Sequence, residues 1–216
     1  MSTNKGMLHF PDGSVYEGSI VDGKMSGQGM MTWPNGERYE GDFLGDARTG
    51  KGMHSWPNGA SYQGDILDGN ASGIGTFILP DGAIVEGEFD GIQPKGVCTF
   101  IMPDGFVFEG ELVDGEPIGM CRVTMSNGVV LETKFDDGQL DGRLKLSWPD
   151  GTTVEGNFAE IGGSGVRRYT FHDGTVLEGR QADEQIARTG VFEQLVEEFF
   201  DWLIWFDATD LSFIRK

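Results

Sequence analysis

A strict period of 23 residues runs through most of this chain and constrains its fold more than any other feature. An aromatic or apolar residue recurs at one phase, always 23 residues after the last, at Tyr16, Tyr39, Tyr62, Val85, Phe108, Leu131, Val154 and Leu177. Two glycine series keep the same period, one from Gly13 to Gly174 and the other from Gly27 to Gly165. Such a period is typical of repeat proteins, in which each repeat packs mainly on its neighbours.

Each repeat predicts two short β-strands. In the first full repeat, we expect them at about residues 16–20 and 29–33, with a turn at Asp22-Gly23 between them. Turns such as Trp33-Pro34-Asn35-Gly36 link successive repeats, because Pro presets φ, Asn bonds its own backbone and Gly accepts a positive φ. Equivalent turns lack the Pro in the repeats that contain Ser126 and His172.

The register of these hairpins follows from the turns. A loop centred on Asn35 pairs Met31 with Tyr39 and Gly29 with Gly41 across the hairpin. One face of the sheet then carries aromatic side chains with glycines between them, and the other face is polar. The sequence therefore predicts an all-β fold, a single antiparallel sheet that grows by one hairpin per repeat.

Three segments carry a resemblance to a known family. Tyr39-Glu40-Gly41-Asp42-Phe43, Gly50-Lys51-Gly52 and Trp56-Pro57-Asn58-Gly59 together resemble the MORN repeat (membrane occupation and recognition nexus). The resemblance covers about residues 6–180, as seven full repeats with half a repeat at each end, so we divide the chain into repeats at 1–180 and a helical segment at 181–216. It implies a scaffold or adaptor near membranes or the cytoskeleton. Conformity is best before about Gly87, and the later repeats depart from the pattern, as at Cys98, Cys121, Thr133 and Leu144.

The apolar face of the first four repeats is the predicted partner site. An exposed aromatic stripe marks a binding surface in many proteins. We expect it to form a groove that binds a protein segment, helical or extended, with basic flanks. The groove residues are Tyr16, Met31, Trp33, Tyr39, Phe43, Trp56, Tyr62, Phe77 and Phe89. The alternative is that sheet curvature packs these rings on one another and leaves no groove.

The C-terminal segment has a different periodicity, typical of an amphipathic α-helix between residues 183 and 206. Its apolar side chains follow a spacing of three and four residues, at Phe192, Leu195, Val196, Phe199, Leu203 and Phe206. Three interpretations stay open for this face: a cap that folds onto the last repeats, a homodimer interface, and a docking surface for another protein.

Charge narrows the class of partner. The net charge of −19 argues against nucleic acid and disfavours an anionic membrane surface. A phospholipid-associated membrane tether and a structural homo-oligomer joined by the helix remain the alternative functions. The stretch from Met1 to Phe10 has no apolar signal region, and two cysteines are too few for a disulfide framework. We expect a cytoplasmic protein, associated with the cytoskeleton or the cytoplasmic face of a membrane.

No enzymatic chemistry is predicted. The segment from Gly45 to Gly52 resembles a phosphate loop but lacks the Ser or Thr that should follow Lys51. The repeated glutamates face basic residues, Arg122, Lys145 and Arg168, in the hairpin register, so we interpret them as surface ion pairs. Cys98 and Cys121 are expected to pack in the core, and the histidines form no metal cluster. We therefore expect no catalytic residue, metal or cofactor.

Overall fold

A computed structural model of the chain describes residues 3–136, 139–157 and 168–189. The fold is one open antiparallel sheet of 16 strands in chain order, each paired with the next. The chain divides into two compact units, unit 1 at residues 1–98 and unit 2 at 99–216. The strands are β1 Thr3–His9, β2 Val15–Val21, β3 Lys24–Thr32, β4 Arg38–Leu44, β5 Ala47–Ser55, β6 Ser61–Leu67, β7 Asn70–Ile78, β8 Ile84–Asp90, β9 Gln93–Ile101, β10 Val107–Val113, β11 Glu116–Thr124, β12 Val130–Asp136, β13 Gln139–Ser147, β14 Thr153–Asn157, β15 Arg168–Thr170 and β16 Val176–Glu178.

The predicted hairpin register is confirmed. Met31 pairs with Tyr39 and Gly29 with Gly41 between β3 and β4. The turn between them closes with a hydrogen bond from Gly36 N to Trp33 O of 2.9 Å, and Gly36 has φ of +92°. The repeat that lacks Pro forms the same turn, because Gly128 N donates to Met125 O at 2.9 Å. Asn or Asp and the following Gly are therefore sufficient to form this turn.

Each two-strand repeat in unit 1 contains an irregularity that the sequence analysis did not anticipate. In the pairing of β4 with β5, Gly41 lies opposite Gly52 and Phe43 opposite Arg48, so three residues of β5 face Asp42 alone. Gly50, within this bulge, has φ of +74°, a conformation that glycine adopts without strain. The Asp42 carboxylate accepts a hydrogen bond of 2.9 Å from Lys51 N. The second periodic glycine series therefore marks bulges, and the strands extend further than predicted.

A short helix follows the last strand. Helix α1 runs from Arg180 to Thr189, and Arg180 bonds Glu184 at 3.1 Å one turn later. The predicted apolar helix face at residues 192–206 lies outside the described residues, so its role as cap, dimer interface or docking surface stays a prediction. No helix in the described ranges is long and apolar enough to cross a membrane.

Candidate functional site

The tyrosines of unit 1 lie flat against glycine backbone. Tyr16 is fully buried, and a Cβ placed on Gly18 or Gly29 would lie about 2.6 or 2.5 Å from its Cζ. The Tyr16 hydroxyl donates a hydrogen bond of 2.8 Å to Ser19 O. Tyr39 and Tyr62 repeat this arrangement, donating to the backbone oxygens of Asp42 and Asp65. Each ring therefore occupies the space that two missing side chains leave free.

The structure buries eight of the nine predicted groove residues. Their rings pack on one another, as in Tyr16 with Phe43 at 4.9 Å between ring centroids and Tyr62 with Phe77 at 4.6 Å. Trp33 is the half-buried exception. Partner binding through this face stays a prediction. The buried residues are Tyr16, Met31, Tyr39, Phe43, Trp56, Tyr62, Phe77 and Phe89.

One repeat places polar groups within this aromatic face. His54 stands where the neighbouring repeats have Met31 and Phe77, and it stacks on Trp56 with 4.3 Å between ring centroids. Arg48 lies over the rings of Trp33 and Tyr39 and approaches His54 Nδ1 at 3.3 Å. Burial, aided by the Arg48 charge, lowers the pKa of His54 to about 4. The imidazole is therefore neutral at physiological pH. Sequence reasoning missed this pair, although two polar residues at apolar phases of the repeat could have identified it.

A ladder of paired glycines crosses unit 1. The side chains that Gly18 to Gly75 lack would point to the aromatic face, and on the opposite face the backbone of these glycines lies between neighbouring side chains. One glycine from each strand pairs with the glycine of the next strand, at Gly6, Gly18, Gly29, Gly41, Gly52, Gly64, Gly75 and Gly87. On this face the ladder forms the floor of a depression, which we call the glycine groove. Its cavities measure about 890 Å³ over β3–β8 and about 660 Å³ over β1–β4. The groove thus runs across the strands.

Side chains on either side of each glycine form the two walls of the groove. One wall, which we call the Met–Glu wall, alternates apolar and acidic or polar residues in its first six strands. Its members are Met7, Glu17, Met30, Glu40, Met53, Gln63, Thr76 and Glu86. Residues of the other wall that line the cavities are Lys5, Gln28, Lys51 and Ile74.

The Met–Glu wall is exposed and only partly neutralised. Met7 is 53% exposed and Met53 is 44% exposed. Glu40 pairs with Arg38 at 2.9 Å. Among the described residues, no cation lies within ion-pair distance of Glu17 or Glu86. The wall therefore offers thioether surface beside unneutralised carboxylates.

The other wall is held by internal contacts. Lys51 pairs with Asp65 at 2.7 Å, and a hydrogen bond from Lys51 is the main reason that the pKa of Asp65 lies below its usual range. Asp65 also accepts a bond of 3.0 Å from Ile74 N at the next bulge. On the neighbouring strand pair, the side-chain amide of Gln28 donates a hydrogen bond to the Asp42 carboxylate. This wall is therefore more rigidly positioned than the Met–Glu wall.

Unit 2 neutralises the equivalent surface with its own cations. Arg122, at the phase of Met30 and Met53, lies 3.6 Å from Glu132 and 3.8 Å from Glu109. Lys145 lies 3.6 Å from Glu132. The predicted cross-strand ion pairs are confirmed here for Arg122 with Glu132, and Arg168 likewise lies 3.9 Å from Glu178. The carboxylates of Glu109, Glu132 and Glu178 thus have partners within the chain.

The two cysteines form no disulfide and lie in the core. Cys98 and Cys121 are both free and buried. Burial raises the pKa of Cys98 to about 11 and also raises that of Cys121, so both are thiols at neutral pH. Within the described ranges, no three His, Cys, Asp or Glu side chains gather in a way that could hold a metal ion.

Sequence reasoning treated the polar face as merely solvated and so missed the groove. The available signal was methionine at positions 7, 30 and 53, one period apart on an otherwise polar face. Met7 and Met53 are exposed and Met30 is half-buried, and a row of apolar side chains in register is an informative feature of a polar face. Periodicity should therefore be examined on both faces of such a sheet.

Comparison with known proteins supports the repeat assignment. The family model of the MORN repeat matches four consecutive segments, residues 16–38, 39–61, 62–84 and 86–107. No curated protein matches the chain in sequence.

Two solved structures resemble the fold. The TCP domain of SAS-4 (dCPAP) from Drosophila melanogaster, in complex with a proline-rich motif of Ana2 (dSTIL), is 12% identical over 81% of this chain and 89% of that one, with a TM-score of 0.50. The TCP10 domain of Danio rerio CPAP is 15% identical over 80% and 92%, with a TM-score of 0.41. At this identity, the first likeness concerns the fold alone, and the second adds no argument.

Proposed function

Since four consecutive segments between residues 16 and 107 match the MORN repeat, we propose that the chain is a non-enzymatic scaffold that binds a basic protein segment in the glycine groove. The observation that carries this proposal is the groove itself, a depression across β1–β8 with exposed methionines and carboxylates along one wall. Exposed apolar side chains in a concave surface favour a binding site.

The charge of the groove favours a basic segment over other ligands. Glu17 and Glu86 have no cation within ion-pair distance among the described residues. The chain as a whole carries −19, so an anionic lipid surface or nucleic acid is repelled. A protein segment with Lys or Arg is attracted and satisfies these carboxylates.

The structural neighbour supplies a parallel for this kind of binding. The TCP domain of SAS-4, a similar sheet, is known in complex with a proline-rich motif of another protein. An open sheet of this type can therefore bind a protein segment. A scaffold role in the cytoplasm, near the cytoskeleton, is the finer part of our proposal.

The aromatic face is the competing location for the same function. Its rings are buried apart from Trp33, and a partner could reach them only if they repacked. The exposed wall of the glycine groove needs no such rearrangement. We therefore place the site in the groove and use Trp33 to test the alternative.

A peptide array probed with the full chain tests the proposal. The groove variant Met30→Lys with Met53→Lys introduces cations beside Glu17 and Glu40, as unit 2 does with its own residues. We expect peptides rich in Lys or Arg to bind the unmodified chain and to lose at least about tenfold in affinity for this variant.

The matched control carries the same added charge away from the groove. Leu44→Lys with Leu67→Lys alters two exposed side chains at hairpin ends, and it should bind as the unmodified chain does. Equal losses in both double variants would reduce the effect to net charge and reject the groove. Loss in Trp33→Ala, with normal binding by the groove variant, would move the site to the aromatic face.

A further inference from the structure

The dimensions and charge of the glycine groove identify its partner more closely. We infer that the groove binds a polyproline II segment that runs across the strands and carries a basic residue at every third position. This inference rests on the proposed function and deepens it. Four observations support it: the width of the groove, its repeat distance, the backbone hydrogen bonds already made by its floor glycines, and the arrangement of its carboxylates.

The width of the groove excludes a helix from the floor. Each wall residue is one position away from the floor glycine in its strand, as Lys51 and Met53 are from Gly52. The Cα atoms of the two walls are therefore about 6.7 Å apart. An α-helix with its side chains is about 10 to 12 Å across. A helix therefore lies above the walls, whereas the backbone of an extended chain can approach the glycines more closely.

The repeat distance of the groove matches polyproline II. Equivalent groove positions recur every second strand, which is about 9.6 Å at the usual strand spacing. Three residues of polyproline II rise about 9.3 Å. The mismatch is about 0.3 Å per repeat, so it reaches only about 1 Å over four equivalent positions. Three residues of a β-strand rise about 9.6 to 10.2 Å, so the repeat distance fits any extended segment, and the choice of polyproline II depends on the floor of the groove.

The floor of the groove favours a ligand that needs few backbone hydrogen bonds. The floor glycines lie within the sheet ladder, with a pairing partner on each side for Gly18 to Gly75. Their backbone groups are therefore unavailable to a further strand. Polyproline II has no internal hydrogen bonds, and each Pro removes one donor that would otherwise need a partner.

The Met–Glu wall supplies side-chain contacts at the same repeat distance. Every second strand places one acceptor side chain on this wall: Glu17 on β2, Glu40 on β4, Gln63 on β6 and Glu86 on β8. A basic residue at every third position of the segment meets these acceptors in turn. Met7 precedes Glu17, and Met30 and Met53 stand between successive acceptors. These thioethers offer surface for proline rings.

Unit 2 contains an internal analogue of this recognition. At the phase of the methionines it places Arg122, whose guanidinium lies between the carboxylates of Glu109 and Glu132. In unit 1 the same phase holds Met30 and Met53, so Glu17 has no equivalent cation among the described residues, while Glu40 is paired with Arg38. A basic residue of the partner takes the place that Arg122 fills in unit 2.

Fluorescence anisotropy with the full chain and labelled synthetic peptides tests the inference. The probe is (Pro-Pro-Lys)₄, which spans about 37 Å as polyproline II. Three comparison peptides isolate its features: one of identical composition with its four lysines adjacent, (Gly-Ser-Lys)₄ with the same charge, and a helical alanine-rich peptide with four lysines. We expect the probe to bind at least about tenfold more tightly than each of these.

The groove variant Met30→Lys with Met53→Lys should weaken probe binding at least about tenfold, and the control Leu44→Lys with Leu67→Lys should not. Equal binding of all four peptides, still sensitive to the groove variant, would overturn the polyproline II inference and leave the proposed function intact. If the groove variant and the control bind every peptide alike, both the inference and the groove proposal fail.

Discussion

Units 1 and 2 fill the space above the aromatic face of the sheet with different sets of side chains. In unit 1, Tyr39 covers the adjacent pair Gly41 and Gly52, and its hydroxyl reaches Asp42 O at 3.1 Å. In unit 2, the residue at the Tyr39 phase is Leu131, and the paired floor positions hold Thr133 and Leu144. The space above the sheet is filled in both units, by one large ring or by several smaller side chains.

An intermediate arrangement links the two. Phe108 lies against Gly110, and a Cβ added to this glycine would meet Cys121 Sγ at 2.6 Å and Phe108 Cζ at 2.7 Å. Relative to Tyr39 and its two glycines, this repeat keeps one glycine as Gly110, replaces the other with Cys121, and has Phe108, a ring without a hydroxyl, in place of Tyr. A large ring over two glycines is thus exchanged for a smaller residue beside larger neighbours, and both arrangements fill the space, in keeping with the close packing of protein interiors.

The opposite face differs as well. Unit 1 has exposed methionines beside Glu17 and Glu40, whereas unit 2 has Arg122 and Lys145 beside its acids. Exposed ion pairs contribute little to stability. Their presence in unit 2 nevertheless removes the free carboxylates that a basic partner needs, which is why we place the binding site in unit 1.

The largest expected effect comes from giving unit 1 a side chain of unit 2. Gly52→Leu introduces the residue that stands at position 144, but its Cβ would lie about 2.6 Å from Tyr39 Cζ. We expect the free energy of unfolding to fall by about 3 kcal/mol because the ring cannot remain in place. Urea denaturation followed by circular dichroism measures this. Met53→Leu, an adjacent exposed change, should stay within about 0.5 kcal/mol.

The same comparison predicts a rescue. Tyr39→Leu and Gly41→Thr, added to Gly52→Leu, reproduce the three residues of unit 2 and should recover more than half of the lost stability. A triple variant no more stable than Gly52→Leu alone would show that the two arrangements are not equivalent solutions.

An intermediate effect is expected from the buried histidine that unit 2 lacks. His54 has a pKa of about 4, lowered by burial and then by Arg48, with Glu37 at 3.8 Å from Nε2. Its pKa is near 6.5 in the unfolded chain. Stability is therefore complete above about pH 6.5 and falls as pH drops towards 4, because only the unfolded chain takes up the proton. Between about pH 7.5 and 5.5 we expect a loss of roughly 1 kcal/mol from this residue.

His54→Phe, which installs the residue of position 77, isolates that contribution. Urea denaturation of this variant should have a weaker pH dependence over the same interval. An unchanged pH dependence would mean that the protonation of other groups controls stability there.

The smallest effect concerns the ion pairs of unit 2. Arg122→Met introduces the residue of the equivalent unit 1 position and removes contacts with Glu109 and Glu132. We expect a loss of about 0.2 to 1 kcal/mol that disappears near 1 M NaCl, where screening is nearly complete. A loss that persists at high salt would assign Arg122 a packing role instead.

The period, the turns and the register could be predicted because each depends on local residues. Asn35 and Gly36 form a turn, and the position of this turn sets the register in which Met31 pairs with Tyr39. How deeply the aromatic side chains are buried could not be predicted in the same way, since the burial of Tyr39 depends on Gly52 of the next strand. The groove was missed because its walls, with Met30 and Glu40 among them, belong to the face that the sequence analysis interpreted as solvated. The helix face at residues 192–206 lies outside the described residues and stays a prediction.

The central claim is that a basic extended segment binds along the glycine floor of unit 1. Amide and methyl NMR spectra of the full chain, recorded during titration with (Pro-Pro-Lys)₄, test it directly. We predict shifts at the amides of Gly29, Gly41 and Gly52 and at the methyls of Met30 and Met53. Shifts confined to the aromatic face around Trp33 or to unit 2, or no shifts at all, would contradict the account.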